Sequence, residues 1–274
     1  MSLDVFLNRG RILMLALDHR QSFKKYVNPN NPDKATDAQI ISVKREIIDS
    51  VSDLMSGALV DPDWGLPAMQ NVAAPYLLCM EASGYTDAAG ERNTELKYSG
   101  AEIKKMGAKG AKLLLYMNPW GTNVAHQVQV AKEAAKDASK AGLPFFLEIV
   151  TYGKEADGGR RGEAIMLSIL ALSDAGVVPD VYKLEYPGTP ADCANITARL
   201  GKTPWILLTR GESYAIFRNQ LRAAVQAGAV GFLAGRAVWQ EIPEYPSGAT
   251  REKFLQEVVR ARFKEICEIV RLHS

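Results

Sequence analysis

Histidine and cysteine are scarce in this sequence, and their scarcity limits the metal chemistry that it can support. The 274 residues contain three histidines and three cysteines. The cysteines lack the paired spacing of a zinc site or a disulfide framework, so we expect small, buried, reduced thiols at Cys79, Cys193 and Cys267. A catalytic zinc usually needs several histidines. Because His126 lies in a helical pattern, at the expected surface, and His273 lies in the C-terminal tail, we expect no zinc site.

The sequence also lacks a surplus of charge of one sign and any apolar run of bilayer length. Its 33 lysines and arginines against 31 acidic residues leave a net charge of +2, which gives no reason to expect a nucleic acid or a membrane surface as partner. No apolar run approaches the ~20 residues that span a bilayer. The N-terminal stretch MSLDVFLNRG is too short and too polar for a signal peptide. We therefore expect a cytoplasmic protein.

Short apolar runs recur eight times along the chain, and most are separated by segments of helical period. Near-continuous apolar runs are typical of parallel strands that are covered on both faces. Most helical segments end at a glycine shortly before the next strand, and the first, which opens near Thr36 and Asp37, is predicted to close at Gly57. The predicted strands span residues 11–18, 57–62, 75–81, 111–118, 144–152, 181–186, 204–211 and 231–239.

This alternation of strands and helices predicts an α/β fold, a single (β/α)8 TIM barrel that occupies residues 1–274 as one domain. No linker, low-complexity segment or block of charge indicates a domain boundary. A doubly wound open sheet is the alternative, but no Gly-x-Gly-x-x-Gly follows the first strand and no Walker lysine loop is present. Residues 62–74, after the second strand, have room for at most a short helix.

Polar residues stand in or just after these strands, at the end of the barrel where such folds carry their chemistry. Strand alternation places Lys183 and Glu185 on one face and Tyr182, Leu184 and Tyr186 on the other. We predict that the charges face the barrel interior and their apolar neighbours face the helices. The residues concerned are Asp18, His19, Arg20, Asp61, Asp63, Glu81, Lys112, Glu148, Lys183, Glu185, Thr209, Arg210, Gly211, Gly235 and Arg236.

Two lysines among several carboxylates in one pocket favour amine chemistry. A lysine that is crowded by a second ammonium and partly desolvated loses its proton more easily. A neutral amine can attack a carbonyl and form a Schiff base, and nearby carboxylates can move the protons. We interpret Lys183 as the nucleophile and Glu148, Asp18, Lys112 and Glu185 as its catalytic neighbours. The alternative is a buried network of ion pairs that only fixes the register of the barrel.

The ends of the seventh and eighth strands resemble an anion site. The stretch TRGES leads through a glycine into a helix, whose first N–H groups and dipole favour an anion. Arginine offers a fork of donors for phosphate oxygens, and TIM barrels often hold a phosphate at this corner. We expect Thr209, Arg210, Gly211, Gly235 and Arg236 to form it, the alternative being a surface turn with a solvated arginine.

Eight stretches, in order along most of the chain, are similar to one known family. LALDHR, LVDPDWGLPA, CMEASGY, AKLLLYMNP, PFFLEIVTY, YKLEYP, LLTRG and GFLAGRAVW resemble the class I tagatose-1,6-bisphosphate aldolases, a family that includes the sulfofructose-1-phosphate aldolases. The resemblance implies a Schiff-base aldolase without metal or cofactor. Its substrate would be a ketose 1-phosphate with a second anionic group, cleaved to dihydroxyacetone phosphate and an aldehyde. We also expect a homo-oligomer.

The resemblance also assigns roles to individual residues. It makes Lys183 the Schiff-base lysine and Glu148 the acid/base carboxylate, with Asp18 and Lys112 orienting the substrate and tuning the lysine. It makes Gly211 and Arg236 the holders of the phosphate on C1. Further candidates for contact with the substrate are Arg20 and Asp61.

The chain departs from the family pattern in two strands and one loop. Asp18–His19–Arg20 stands where the family usually has Asp-Gln-Arg, and Thr209–Arg210–Gly211 stands where it usually has Ser-Ala-Gly. The loop 153–163 brings Arg160 and Arg161 towards the expected pocket mouth. Extra arginines fit a second phosphate, sulfonate or carboxylate on the substrate. The Asp-His-Arg strand end is also similar to a branch linked to inositol breakdown, whose substrate would be 2-deoxy-5-keto-gluconate 6-phosphate.

Two other classes of function stay open. Asp18, Asp61, Glu81 and Glu148 could bind magnesium or manganese, since hard cations need only oxygen ligands, and would then support an enolisation or decarboxylation. A non-catalytic barrel could bind a sugar phosphate as a sensor. Such a sensor would keep the phosphate corner but would have no need of Lys183.

Overall fold

The computed structural model describes residues 2–246 and 248–273, and eight parallel strands of this part of the chain close into a barrel. The predicted TIM barrel is therefore confirmed. The strands pair in the order β1, β2, β3, β6, β7, β8, β9, β10 and back to β1. Their bounds are β1 Ile12–Leu17, β2 Gly57–Val60, β3 Tyr76–Cys79, β6 Gly110–Met117, β7 Phe145–Thr151, β8 Val181–Leu184, β9 Trp205–Leu208 and β10 Gly231–Ala234.

Helices surround the barrel and follow most of its strands. The longer ones begin and end with the expected chemistry: Thr36 and Gln39 form a capping box, and Gly142 ends a helix with a left-handed φ of 67°. The helices are α1 Lys24–Val27, α2 Asp37–Val51, α3 Gly65–Ala68, α4 Gly100–Lys105, α5 Val124–Ala141, α6 Arg161–Asp174, α7 Pro190–Leu200, α8 Tyr214–Gln226, α9 Arg236–Trp239, α10 Gly248–Phe254 and α11 Arg260–Leu272.

Several strands are shorter than predicted, and two boundaries differ the most. Helix α2 ends at Val51 and does not reach Gly57, which is the first residue of β2, where an added Cβ would lie 2.9 Å from the Phe6 ring. The eighth strand does not extend to residue 239, because Gly235 is the N-cap of the short helix α9, which buries Trp239. A short apolar run can be a strand or a buried helix, and periodicity alone does not distinguish them.

A two-stranded antiparallel hairpin, β4 Thr86–Ala88 and β5 Glu91–Asn93, follows β3 and was not predicted. It lies outside the barrel sheet, and the residues just before it line the upper end of the barrel. Its strands are short, polar and at least partly exposed, so they lack the apolar pattern that indicates a strand.

The barrel interior is divided into an apolar floor and a charged upper layer. Phe6, from the N-terminal turn, closes the floor against Phe146, with ring centroids 5.6 Å apart. Above the floor, Glu148 on β7 pairs in register with Leu114 on β6 and with Lys183 on β8. The apolar residues of the same strands that alternate with these charges pack against the helices. The predicted inward direction is thus confirmed for Lys112, Glu148 and Lys183.

The three cysteines are free and buried, as predicted. Of the helices in residues 2–246 and 248–273, none is long and apolar enough to cross a membrane.

Candidate active site

Two lysines bind opposite oxygens of one buried carboxylate in the charged layer. The Nζ atom of Lys183 lies 2.8 Å from Oε1 of Glu148, and the Nζ atom of Lys112 lies 2.8 Å from Oε2. All three side chains are buried. Burial disfavours the charged form of Glu148, but Lys112 and Lys183 outweigh it and lower the pKa of the carboxyl. Glu148 is therefore ionised at neutral pH and able to accept a proton.

Lys112 is the centre of a cluster of three carboxylates. Its Nζ atom lies 2.8 Å from Glu81 and 3.1 Å from Asp18, in addition to Glu148. Burial opposes the charge of Lys112, but Glu148, Glu81 and Asp18 together raise its pKa well above the ordinary value. Burial likewise works against the Asp18 carboxylate, and Lys112 and Lys183 reverse this and lower its pKa. Lys112, Asp18 and Glu148 therefore hold their charges at neutral pH.

This cluster does not match the magnesium site left open above. Asp61 is not part of it, because it is buried against Lys44 of α2 and accepts hydrogen bonds from the backbone of Asp63, Trp64 and Gly65. The remaining three already share the ammonium of Lys112. The prediction that Asp61 contacts the substrate is also wrong, since Asp61 is fully buried and does not line the cavity.

A cavity of about 360 Å³ opens above the charged layer and runs across the barrel mouth. Lys183, Glu148 and Asp18 lie along it. Arginines stand at both ends, so the cavity combines a reactive amine with two groups of anion donors. We name the two ends by the strands that supply them. The first end follows β9 and β10 and is lined by Thr209, Arg210, Gly235 and Arg236, and the second follows β1 and β3, with Tyr116 of β6, and is lined by Arg20, Ser22, Ser83 and Gly84.

The first end contains four of the five residues predicted for the phosphate corner, and Gly211 lies beside them. Gly211 has a left-handed φ of +80°, and a Cβ there would lie 3.0 Å from Cζ of Arg236, so a side chain would strain the turn and push the guanidinium aside. Arg236 forms no ion pair within the described part of the chain. Ser213 caps the first turn of α8. The corner therefore presents an arginine whose charge is available to an anion.

The second end is built around Arg20, and His19, the residue before it, lies between the two ends, with its ring against Gly235 of the first end. Arg20 donates to the carbonyl of Glu81 over 2.8 Å and faces the cavity beside two serines that the sequence did not single out, Ser22 and Ser83. His19 packs edge-to-face on Trp239 with centroids 5.4 Å apart. Burial lowers the pKa of His19 to about 4, so the ring is neutral at pH 7.

Glu185 does not take the predicted place beside Lys183. Strand β8 ends at Leu184, and the Glu185 carboxylate turns to the end of β7, where it accepts hydrogen bonds from the backbone N–H (2.9 Å) and the hydroxyl of Thr151. Its other oxygen lies 2.9 Å from Nη1 of Arg210. Burial raises the pKa of Glu185, and Arg210 opposes that rise. Glu185 therefore supports Arg210 rather than the amine.

The loop arginines also lie elsewhere than predicted. Arg160 pairs with Glu163 at 2.7 Å and lies over the ring of Trp120, exposed to solvent. Arg161 is half-buried, 4.0 Å from Glu185. Neither lines the cavity. His126 is exposed on α5, as predicted.

Lys44 is the residue that the sequence analysis missed. It is fully buried, and its Nζ atom donates to the carbonyls of Leu17 and His19, each over 2.8 Å, as well as to Asp61. These carbonyls flank Asp18, so Lys44 fixes the end of β1. A signal was present, because Lys44 falls on the apolar face of α2.

Comparison with known proteins identifies the family of this chain. Residues 12–241 match the model of the family described as DeoC/LacD family aldolase. The tagatose 1,6-diphosphate aldolase of Lactococcus lactis subsp. lactis is 28% identical over 294 aligned positions, which cover 95% of this chain and 90% of that protein. Tagatose 1,6-diphosphate aldolase 1 of Streptococcus mutans serotype c is 27% identical, covering 84% of this chain and 81% of that protein.

Solved structures share the fold. The fructose-bisphosphate aldolase of Plasmodium falciparum superposes with a TM-score of 0.74 at 15% identity, covering 97% of this chain and 92% of that one. An archaeal fructose-1,6-bisphosphate aldolase was solved with its catalytic lysine covalently bound to the carbinolamine intermediate. It superposes with a TM-score of 0.70 at 21% identity, covering 98% of this chain and 97% of that one. The family match covers most of the barrel. The chain therefore belongs to the DeoC/LacD aldolase family, which makes it a carbon–carbon lyase and agrees with the resemblance seen in its sequence.

Proposed function

We propose that this protein is a class I aldolase in which Lys183 forms a Schiff base with the ketone of a ketose 1-phosphate. The products are dihydroxyacetone phosphate and an aldehyde, and the reaction needs no metal or cofactor. The observation that carries the proposal is the contact of Lys183 with ionised Glu148 in a cavity with arginines at both ends. The similarity to tagatose 1,6-diphosphate aldolases supports a bisphosphorylated ketose as substrate.

In the proposed reaction, the neutral amine of Lys183 attacks C2 of the ketose, and loss of water gives an iminium. Glu148 accepts the proton of the C4 hydroxyl as the C3–C4 bond breaks, and the electron pair of that bond passes to the iminium to form an enamine. The aldehyde leaves. Protonation at C3 and addition of water to the iminium then release dihydroxyacetone phosphate and the free amine. Lys112 and Asp18 hold Glu148 and the substrate hydroxyls in place.

The two ends of the cavity fit the two anionic groups of such a substrate. The C1 phosphate lies at the corner of Arg236 and Gly211, where the arginine has no carboxylate partner within the described residues. The second anionic group, a phosphate or a sulfonate, lies at Arg20, with the hydroxyls of Ser22 and Ser83 beside it. Arginine and hydroxyl donors suit either group.

His19 supports a second candidate, 2-deoxy-5-keto-gluconate 6-phosphate. The neutral imidazole lines the cavity beside Arg20, and its Nδ1 atom is buried without a hydrogen-bond partner. A ring nitrogen can donate to a carboxylate, the group that this substrate carries. Assays of the purified enzyme with this compound, tagatose 1,6-bisphosphate, fructose 1,6-bisphosphate and 6-sulfofructose 1-phosphate would rank the candidates by kcat/KM.

Borohydride trapping with dihydroxyacetone phosphate tests the Schiff base directly. We expect a stable adduct in the intact mass spectrum and, after digestion, on the peptide that contains Lys183. Lys183→Met should give no adduct and no turnover, whereas Lys105→Met, which removes an exposed lysine from α4, should behave as wild type. Ligand binding without an adduct, unchanged in Lys183→Met, would instead identify a non-catalytic barrel.

We extend the proposal to the assembly and location of the enzyme. Residues 1–274 would form one catalytic domain, the enzyme would be a homo-oligomer, and it would act in the cytoplasm on a free sugar phosphate. Light scattering after size-exclusion chromatography would test the oligomer, since a mass of 30.0 kDa, that of one chain, would contradict it.

A further inference from the structure

Arg210 is held between two carboxylates of very different exposure. Its Nη1 atom lies 2.9 Å from Glu185, whose side chain is 0% exposed. Its Nη2 atom lies 3.2 Å from the carbonyl of Thr151 and 3.4 Å from Asp157, whose side chain is 61% exposed. The same guanidinium borders the cavity beside Thr209. The Nη1 edge of the guanidinium is therefore fixed in the protein interior, whereas at the Nη2 edge another anion can replace Asp157.

The backbone of Arg210 is constrained as well. Its φ of +46° lies in the left-handed region, which is unfavourable for a residue with a Cβ. The N–H of Glu212 donates to the carbonyl of Thr209 over 3.0 Å and closes this turn. Strained residues of this kind cluster at ligand sites. The turn places Arg210 directly before Gly211, which lies against the guanidinium of Arg236.

We propose that Glu185 and Asp157 act in opposite directions on phosphate binding, both through Arg210. Glu185 is a positioning residue, because its contact with Nη1 leaves Nη2 directed at the phosphate. Asp157 competes with the phosphate for Nη2. This inference rests on the proposed function, since it assigns the C1 phosphate to this corner, and it says how Arg210, already expected there, is held for the phosphate.

The surroundings of the two carboxylates explain why Glu185 keeps its contact with Arg210 when phosphate binds and Asp157 loses its contact. Glu185 is fixed by two hydrogen bonds from Thr151 in addition to Arg210, and moving it would leave a buried charge without partners. Asp157 lies on an irregular exposed turn, Ala156–Arg160, and no other ion pair of its side chain is found in the described residues. A phosphate oxygen can replace it while its carboxylate moves into water.

Three single variants test the inference by calorimetric titration with inorganic phosphate at constant ionic strength. Asp157→Asn should bind phosphate about two- to threefold more tightly, the size expected of an exposed ion pair. Glu185→Gln should bind about tenfold more weakly, because the guanidinium loses its fixed partner. Glu155→Gln removes the same charge from the same exposed loop without a contact to Arg210, and it should change the affinity little.

The opposite signs are the decisive feature. Shifts in the same direction, or an Asp157→Asn effect no larger than that of Glu155→Gln, would overturn the inference. In an Arg210→Ala background, Asp157→Asn should no longer change phosphate affinity, and an unchanged effect there would also overturn it. If Glu185→Gln does not fold, as judged by thermal unfolding, the Asp157 and Arg210 variants still decide.

Borohydride trapping separates this inference from the proposed function. Normal labelling of Lys183 in all variants, with phosphate affinities that do not diverge, would overturn the inference and leave the aldolase proposal intact. If the phosphate affinities of Asp157→Asn and Glu185→Gln change in opposite directions but Lys183 is never labelled, the role of Arg210 is supported and the Schiff-base proposal is wrong.

Discussion

The Nζ atom of Lys183 and Oε1 of Glu148 lie 2.8 Å apart on paired positions of neighbouring strands. Rigid strands hold both groups, so the contact does not depend on a loop. An amine that must lose a proton thus stands beside a carboxylate that can accept one, and the second oxygen of that carboxylate is held by Lys112. This arrangement predicts a specific effect for each substitution in the site.

Replacing Glu148 with glutamine should stop cleavage without preventing carbonyl binding. The amide cannot accept the C4 hydroxyl proton, so we expect kcat to fall by about 10²- to 10⁴-fold, the usual contribution of a general base. Borohydride should still label Lys183 with dihydroxyacetone phosphate. Glu133→Gln, on the exposed face of α5, is the matched control. Wild-type kcat in Glu148→Gln would assign proton transfer to another group.

Removing the ammonium of Lys112 should cost both stability and activity. Lys112→Met leaves Asp18, Glu81 and Glu148 close together without their common cation, so the free energy of unfolding should fall by about 3–5 kcal/mol. Urea unfolding measures this, with Lys105→Met as the exposed control.

The same variant should change the dependence of rate on pH. In the wild type, the lowered pKa values of Asp18 and Glu148 stabilise the fold above the unfolded values, near 4, and this stabilisation is lost as the pH falls further. Without Lys112 both pKa values rise, so the acidic limb of kcat against pH should move to higher pH. A limb that stays in place would show that Lys112 does not control these groups.

His19 should make the fold more stable as the pH rises from about 4 to 6.5. Burial lowers its pKa from 6.5 to about 4, so within this window the unfolded chain binds a proton that the folded chain does not. Stability therefore increases with pH there. His19→Gln should flatten the curve of unfolding free energy against pH, and His126→Gln, on the surface, should leave it unchanged. Parallel curves for wild type and His19→Gln would contradict the assignment.

Lys44 and Asp61 should behave as a buried pair whose members cannot be removed singly. Lys44→Met should lower the free energy of unfolding by about 3–5 kcal/mol, since it leaves the Asp61 carboxylate uncompensated. Replacing both, in Lys44→Met/Asp61→Leu, should recover part of that loss. A double-mutant cycle of chemical unfolding measures the coupling, and strictly additive losses would mean that the two side chains do not interact.

The barrel and its inward charges could be predicted because strand alternation is a local rule. Lys112, Glu148 and Lys183 lie inside continuous strands, where each residue's face follows from its neighbours. Glu185 could not be placed in this way, because β8 ends one residue before it and its direction is decided by Thr151 and Arg210.

Pairing between distant parts of the chain explains the other errors. Asp61 is polar and stands at a strand end, as a substrate ligand would, but Lys44 reaches it from the preceding helix. Nothing in the spacing of the two residues indicates that contact. The serines beside Arg20 belong to turns whose course follows from packing at the barrel mouth, and no pattern in the sequence specifies it.

The register of β7 and β8 has a consequence for how the barrel reaches its final form. A slip of one residue between these strands would turn Lys183 outward, to the side where Tyr182 and Leu184 now pack against the helices. Such a misassembled sheet would bury charges without partners, at a cost of about 3–5 kcal/mol for each broken pair. The residues proposed for catalysis therefore also destabilise barrels with a shifted register relative to the native one. Apolar replacements that abolish catalysis should reduce this difference in free energy between the native and the shifted registers.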